Sequence, residues 1–252
     1  MKSLKDTINE SLVYEKRFTP EEKSEREAIL NFIHENYSAS PSGLKLSKID
    51  GIWYVNYERG TLTVTNKSIT SLTNGLFHWN RLKGTFDCSM CENLESLEGA
   101  PQVFHALDCR ECKNLKSFEG VGEFDDLSCM HCDSLVSFEG LGRNLTLRYI
   151  YASDCKNLAS LKGLPIKAFN LYLDDCKSLT SLKGCPKDLA ILSIAGCSNI
   201  KSWDGAPNRI WEGLFYGGCK YLKDQEPPCH FDAGAKAYYG YNGTTGASIM
   251  GR

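Results

Sequence analysis

This 252-residue chain is short of most features that point directly to a function. No apolar run approaches the roughly 18–20 residues that a membrane-spanning helix needs, so no membrane association is expected. Positive charge is not in excess. Against 29 Lys and Arg stand 31 Asp and Glu, and a formal net charge of −2 gives no global field that would draw in nucleic acid. The opening stretch, MKSLKDTINESLVYEKRF, interleaves charges with its apolar residues and does not read as a secretory signal. Histidine is scarce and scattered, at 34, 78, 105, 131 and 230, with no helical pair at metal-ligand spacing. No glycine loop leads into a helix through Lys-Ser/Thr, so the usual phosphate cradle is missing.

Cysteine is not in short supply. Twelve of them, with no export signal, are expected to be reduced thiols in a cytosol-like compartment. Cys88/Cys91, Cys109/Cys112 and Cys129/Cys132 form three Cys-x-x-Cys pairs that look like a metal module. Periodicity gives a different account. The second cysteine of each pair continues as Cys155, Cys176, Cys197 and Cys219, in steps of 21, 20, 23, 21, 21 and 22. Five residues upstream of these cysteines lie Phe86, Leu107, Leu127, Ile150, Leu171, Leu192 and Leu214. Three downstream is always aliphatic, from Leu94 to Leu222, and eight downstream is Gly99, Gly120, Gly140, Gly163, Gly184 and Gly205. The first cysteine of each pair occupies a column that becomes Ala152, Leu173 and Ile194, as a small buried apolar position does. The thiols are therefore expected to be structural, with no metal and no cofactor. Metal binding or catalysis by the clustered cysteines is the rival reading. Cys229-His230 is adjacent in sequence, which rarely brings two side chains face to face.

The unit reads Φ-x-Φ-x-x-C-x-x-L-x-S-Φ-x-G and resembles the leucine-rich repeat in its cysteine form. LTVTNKSITSL, Leu62 to Leu72, fits a shorter version with Lys67 at the usual Asn or Cys position. The resemblance implies an α/β repeat fold, a solenoid with a parallel sheet of about eight short strands, spanning about residues 61–223. Its glycines favour a positive φ, and Pro101, Pro165, Pro186 and Pro207 favour an extended return rather than a full helix.

Ahead of the repeats, Thr19-Pro20-Glu21-Glu22 signals a capped helix running to about Tyr37, with Ala28, Ile29, Phe32 and Ile33 on its apolar face. LKLSKIDGIWYVNYERG alternates around Asp50-Gly51, the sign of a two-residue hairpin. Residues 19–60 are thus expected to form a helix–hairpin cap, and residues 224–252 a C-terminal cap or tail. Residues 1–18 form a separate leader, and MKSLKDTINESL resembles leaders of large tailed bacteriophage proteins. That resemblance implies a phage-encoded chain in the host cytoplasm, or a structural or packaged component of the virion.

Between the inward positions lie the outward residues of the strands. Asp87, Asp108 and Asp126 form an acidic line, flanked by Arg110 and, further along, by Asp174. Tyr149, Tyr151 and Tyr172 cluster in the middle, with Phe215 beyond. Tyrosines beside carboxylates on an exposed sheet are common anchors for a protein partner. The expected function is a non-catalytic interaction module whose acidic line selects a basic patch on a protein partner. A solvated sheet face carrying good strand formers is the plain alternative.

Overall fold

The computed structural model describes residues 18–239; the leader up to residue 17 and the tail from residue 240 lie outside the described residues. Thr19 opens helix α1 (Pro20–Asn36): its hydroxyl accepts from the Glu22 amide, while its own amide donates to the Glu22 carboxylate. Two amides at the helix start are thereby satisfied reciprocally. Ile29, Leu30 and Ile33 face inward, whereas Ala28, expected on that face, is exposed. Helix α1 stops at Asn36 because Tyr37 turns extended and begins β1 (Tyr37–Ser38).

The hairpin forms at its expected turn. Strands β2 (Leu44–Ile49) and β3 (Ile52–Tyr57) pair antiparallel, and Asp50 and Gly51 both take a positive φ, as a type I′ turn demands. Glu25 of α1 accepts from Lys48 and from the Trp53 indole, which ties the helix to the hairpin. Strand β3 then pairs parallel with β5 (His78–Leu82), along the flank of the repeats.

The repeats build a β-solenoid of stacked coils at about 21-residue spacing. Its main sheet runs through β4 (Leu62–Val64), β6 (Thr85–Asp87), β7 (Ala106–Asp108), β8 (Asp126–Ser128), β9 (Thr146–Tyr151), β10 (Lys167–Tyr172), β11 (Asp188–Ser193) and β12 (Arg209–Phe215). All of these neighbours are parallel, and Phe86, Leu107, Leu127, Ile150, Leu171, Leu192 and Leu214 are register partners along the stack. The inward columns found by periodicity are buried throughout the coils and join α1 and the hairpin in one core. Phe118 and Phe138 stack at 6.0 Å in neighbouring coils, where six downstream of the cysteine is aromatic.

Two differences from expectation have physical causes. The sheet holds eleven strands rather than about eight, because each end is covered. β1 lies antiparallel on β4, and β13 (His230–Phe231) and β14 (Lys236–Tyr238) lie parallel on β12. These short strands occupy sheet edges that would otherwise stand open. The α/β label also narrows, since α1 is the one α-helix among the described residues and the coils return without one. Gly140 shows why: its φ is +96°, and a Cβ there would sit 2.3 Å from the Glu119 amide of the preceding coil. The return passes too close to its neighbour for a side chain, let alone a helix.

A further regular column was not anticipated. The residue before each repeat cysteine has a positive φ: Met90, Glu111, His131, Asp154, Asp175, then Gly196 and Gly218. Each is the third residue of a tight turn, closed by bonds such as that from the Cys91 amide to the Cys88 carbonyl. A type II turn requires such a residue, and side chains tolerate it poorly. Met90→Gly is therefore expected to stabilise the protein by about 1 kcal/mol, read as a higher urea midpoint. Gly140→Ala should destabilise it by more than about 2 kcal/mol.

Candidate interaction face and the buried thiols

All twelve cysteines are free thiols and all are buried. The second-column thiols have a specific task. Cys112 donates its S–H to the Cys88 carbonyl of the preceding coil at 3.1 Å, and Cys132, Cys155, Cys176, Cys197 and Cys219 repeat the bond at 3.0–3.1 Å. Each accepting carbonyl belongs to the residue three before the preceding repeat cysteine. Cys91, first in the series, has Lys67 below it, and the Lys67 ammonium donates to the Ser89 carbonyl at 2.7 Å.

Among the described residues, no three His, Cys, Asp or Glu converge as a metal site. Burial pushes Cys91, Cys185 and Cys219 up to about 12 and raises Cys176 and Cys197. Cys88, Cys109 and Cys129 are held well above the thiol range by contact with Cys112, Cys132 and Cys155, and by burial. The same contacts draw Cys112 and Cys155 down against their burial, yet neither is accessible to solvent. Burial raises Cys229 too, and the neighbouring His230 faces Asp232 at 3.8 Å.

On the outer sheet face the acidic line is present but largely answered from within the chain. Asp87 and Asp108 are register partners. Asp87 accepts from the Ser89 amide and hydroxyl, and Arg110 forks onto both oxygens of Asp108. Asp126 lies in the next column, opposite Ala106, and takes the Arg148 guanidinium at 2.6 Å. Arg148 also reaches His105, whose other ring nitrogen lies 3.2 Å from Asp125. Asp174 is half-buried, and burial raises its carboxyl although Ser193 and the Ala195 amide donate to it.

The aromatic half forms three groups of rings, with Ser193 between Tyr172 and Phe215 in the register. Tyr149 and Tyr151 stack at 5.9 Å and 2°, and Tyr151 stacks on Tyr172 of the next strand at 4.9 Å and 9°. Their roles differ. Tyr149 is 38% exposed and Tyr172 only 6%, so Tyr172 supports the stack from within. Phe215 stacks on Tyr238 at 4.9 Å, while Phe169 meets Trp211 edge-on at 6.2 Å. The sequence reading missed His105, Arg148, Phe169, Trp211 and Tyr238. From β9 onward the strands lengthen from three residues to six or seven, so positions upstream of the first inward residue join the face. The signal available was the strand-forming composition of TLRYIY, although its inward residues Leu147 and Ile150 lie three apart and do not alternate strictly.

The chain matches no family model, no curated protein and no solved structure.

Native protein at pH 8 is expected to leave its thiols unmodified by a bulky thiol reagent, with full reaction after unfolding; rapid labelling of the folded state would contradict the burial. A second expectation concerns Asp174. Its raised carboxyl binds the proton more tightly in the folded state, so its contribution to stability is fully present below the unfolded pKa of about 4 and is lost as pH rises through the folded value. Asp174→Asn should therefore raise the urea midpoint at pH 7, with the gain shrinking towards pH 4.

Proposed function

We propose that the chain is a leucine-rich-repeat solenoid of the cysteine form that works as a non-catalytic protein-interaction module, docking a partner on its outer strand face. The observation that carries this reading is the set of part-exposed aromatic side chains on the outer face of the parallel sheet. Tyr149, Phe169 and Tyr238 are each about four-tenths exposed, while Tyr172 is buried beneath the Tyr151 ring. Aromatic anchors on a rigid support lose little conformational freedom on binding, which is why such residues dominate interface energetics. The Phe104–Phe124 pair of the coil flank is, by contrast, inside the core.

The role assigned to each residue follows its exposure. Tyr149, Tyr151 and Phe215 are contact anchors joined by Phe169, Trp211 and Tyr238, and Tyr172 is their support. Asp87, Asp108 and Asp126 set the charge of the adjoining half, moderated by Arg110 and Arg148. The burial of every thiol favours this reading over an enzymatic one. A role on a phage particle rests on residues 1–17, which lie outside the described residues.

The test uses immobilised full-length protein and lysate of the source cells. A protein retained by the wild type should be lost with Tyr149→Ala/Phe169→Ala and kept with Lys116→Ala/Lys162→Ala, which alter charges away from the strands. Retention by both variants alike would contradict docking on this face. Tyr172→Ala should instead cost about 3 kcal/mol of stability, as loss of a buried aromatic does.

A further inference from the structure

Among the described residues four buried polar side-chain atoms lack a hydrogen-bond partner, and three lie on the strand face: Asp126 Oδ1, Ser128 Oγ and Asn170 Oδ1. They are grouped by the sheet register. Asp126 is the partner of Tyr149, and Tyr149 is the partner of Asn170; Ser128 is the partner of Tyr151. The three atoms therefore bracket strand β9 on both sides of its exposed tyrosine pair. Parallel strands lie about 4.8 Å apart, so all three fall within one side chain's reach of Tyr149.

Two of the three, Asp126 Oδ1 and Asn170 Oδ1, are acceptors with no donor opposite them, whereas the Ser128 hydroxyl can donate or accept. Asp126 uses its other oxygen on Arg148, and the Asn170 amide nitrogen donates to the Arg148 carbonyl at 3.2 Å. The remaining oxygens of both can only accept, and Asn170 is 91% buried by its 9% exposure. Leaving such acceptors unpaired is costly, so a partner that brings several N–H groups gains more here than elsewhere on the face. Charge points the same way. Across these strands the carboxylates of Asp87, Asp108, Asp125 and Asp126 outnumber the two guanidinium groups that face them, Arg110 and Arg148, with the His105 ring set between Asp125 and Asp126. A planar cation also suits the aromatic surface, since Tyr149 stacks on Tyr151 through one face and is part-exposed.

We propose that Asp126, Asn170 and Tyr149 form a binding site for an arginine side chain of the docking partner. A guanidinium supplies five donors in one plane, carries positive charge and stacks on an aromatic ring, whereas an ammonium is a strongly hydrated point charge. This rests on the strand-face reading above and gives the partner its chemistry. The acceptors lie beneath solvent-inaccessible surface, so entry of the guanidinium shifts the Tyr149–Tyr151 rings.

The test is a titration of the full chain with acetyl-Gly-Arg-Gly-amide, followed by NMR of the Asn170 side-chain amide and the tyrosine rings. Citrulline and lysine versions of the peptide serve as controls. The arginine peptide should shift both sets of resonances and bind about 10-fold or more tightly than the citrulline peptide, with lysine between them. Asn170→Leu should abolish that preference while raising the unfolding midpoint, because it removes a buried orphan. Asp126→Asn should weaken the preference in a chain that keeps the Asn170 side chain. Equal binding of arginine and citrulline peptides, no shift at Asn170, or an unchanged preference in both variants would overturn the proposal. If those results came with partner loss in Tyr149→Ala/Phe169→Ala, the docking face would stand and the arginine site alone would fall.

Discussion

The bond from each repeat cysteine to a carbonyl of the preceding coil sets the terms for the rest of this molecule. After the strands the chain turns sharply, and in most coils, as at Cys88, Cys109, Leu173 and Ile194, the carbonyl at the start of that turn accepts one amide bond within its own coil. The S–H of the next coil supplies a second, dry donor at the same oxygen. Cysteine is small enough to sit inside the turn and apolar enough to belong in the core. Six such bonds in succession hold the coils at one register, and every column of the strand face depends on that register.

A stack of this kind has no intrinsic end, and both ends here are handled by added strands. At the N-terminus the Tyr37 hydroxyl donates to the Leu72 carbonyl while β1 covers the edge of β4. Lys67 replaces cysteine in the first coil, where a longer donor reaches forward to Ser89. At the C-terminus β13 and β14 continue the coil in outline, and Tyr239 packs on Tyr216 where an inward residue of another coil would sit. Between these ends Tyr149, Tyr151 and Tyr172 stack on one another, and Phe215 stacks on Tyr238. Much of their flat surface is spent on each other, which leaves edges, hydroxyls and the outermost rings to meet a partner.

The inward half of this arrangement was legible in the residues because burial imposes one kind of side chain at one spacing. Phe86 to Leu214, Leu94 to Leu222 and the glycine column each repeat for that reason. Thr19-Pro20-Glu21-Glu22 and Asp50-Gly51 were legible because local backbone bonds demand those residues. The outer face was harder to read. The positive-φ column contains Met, Glu, His and Asp before any Gly, so no shared chemistry marks it. Arg148 neutralises Asp126 from another coil, and strand lengthening after β8 brings in Phe169 and Trp211 while the repeat varies only between 20 and 23 residues. Tyr172 reads as outward by alternation and is outward, yet its neighbours bury it. Pattern gives direction along a strand; accessibility depends on what stands beside it.

The Raman S–H stretching band of the native protein in solution tests the cysteine ladder most directly. The account predicts a band with two components, one from the six ladder thiols displaced to lower frequency by hydrogen bonding and one nearer the free-thiol position from the other six, with the displaced component lost on unfolding. Absence of the S–H band from the native protein would mean that the thiols are metal-bound or oxidised, and absence of the displaced component would mean that the ladder bonds are not made; either result would contradict it.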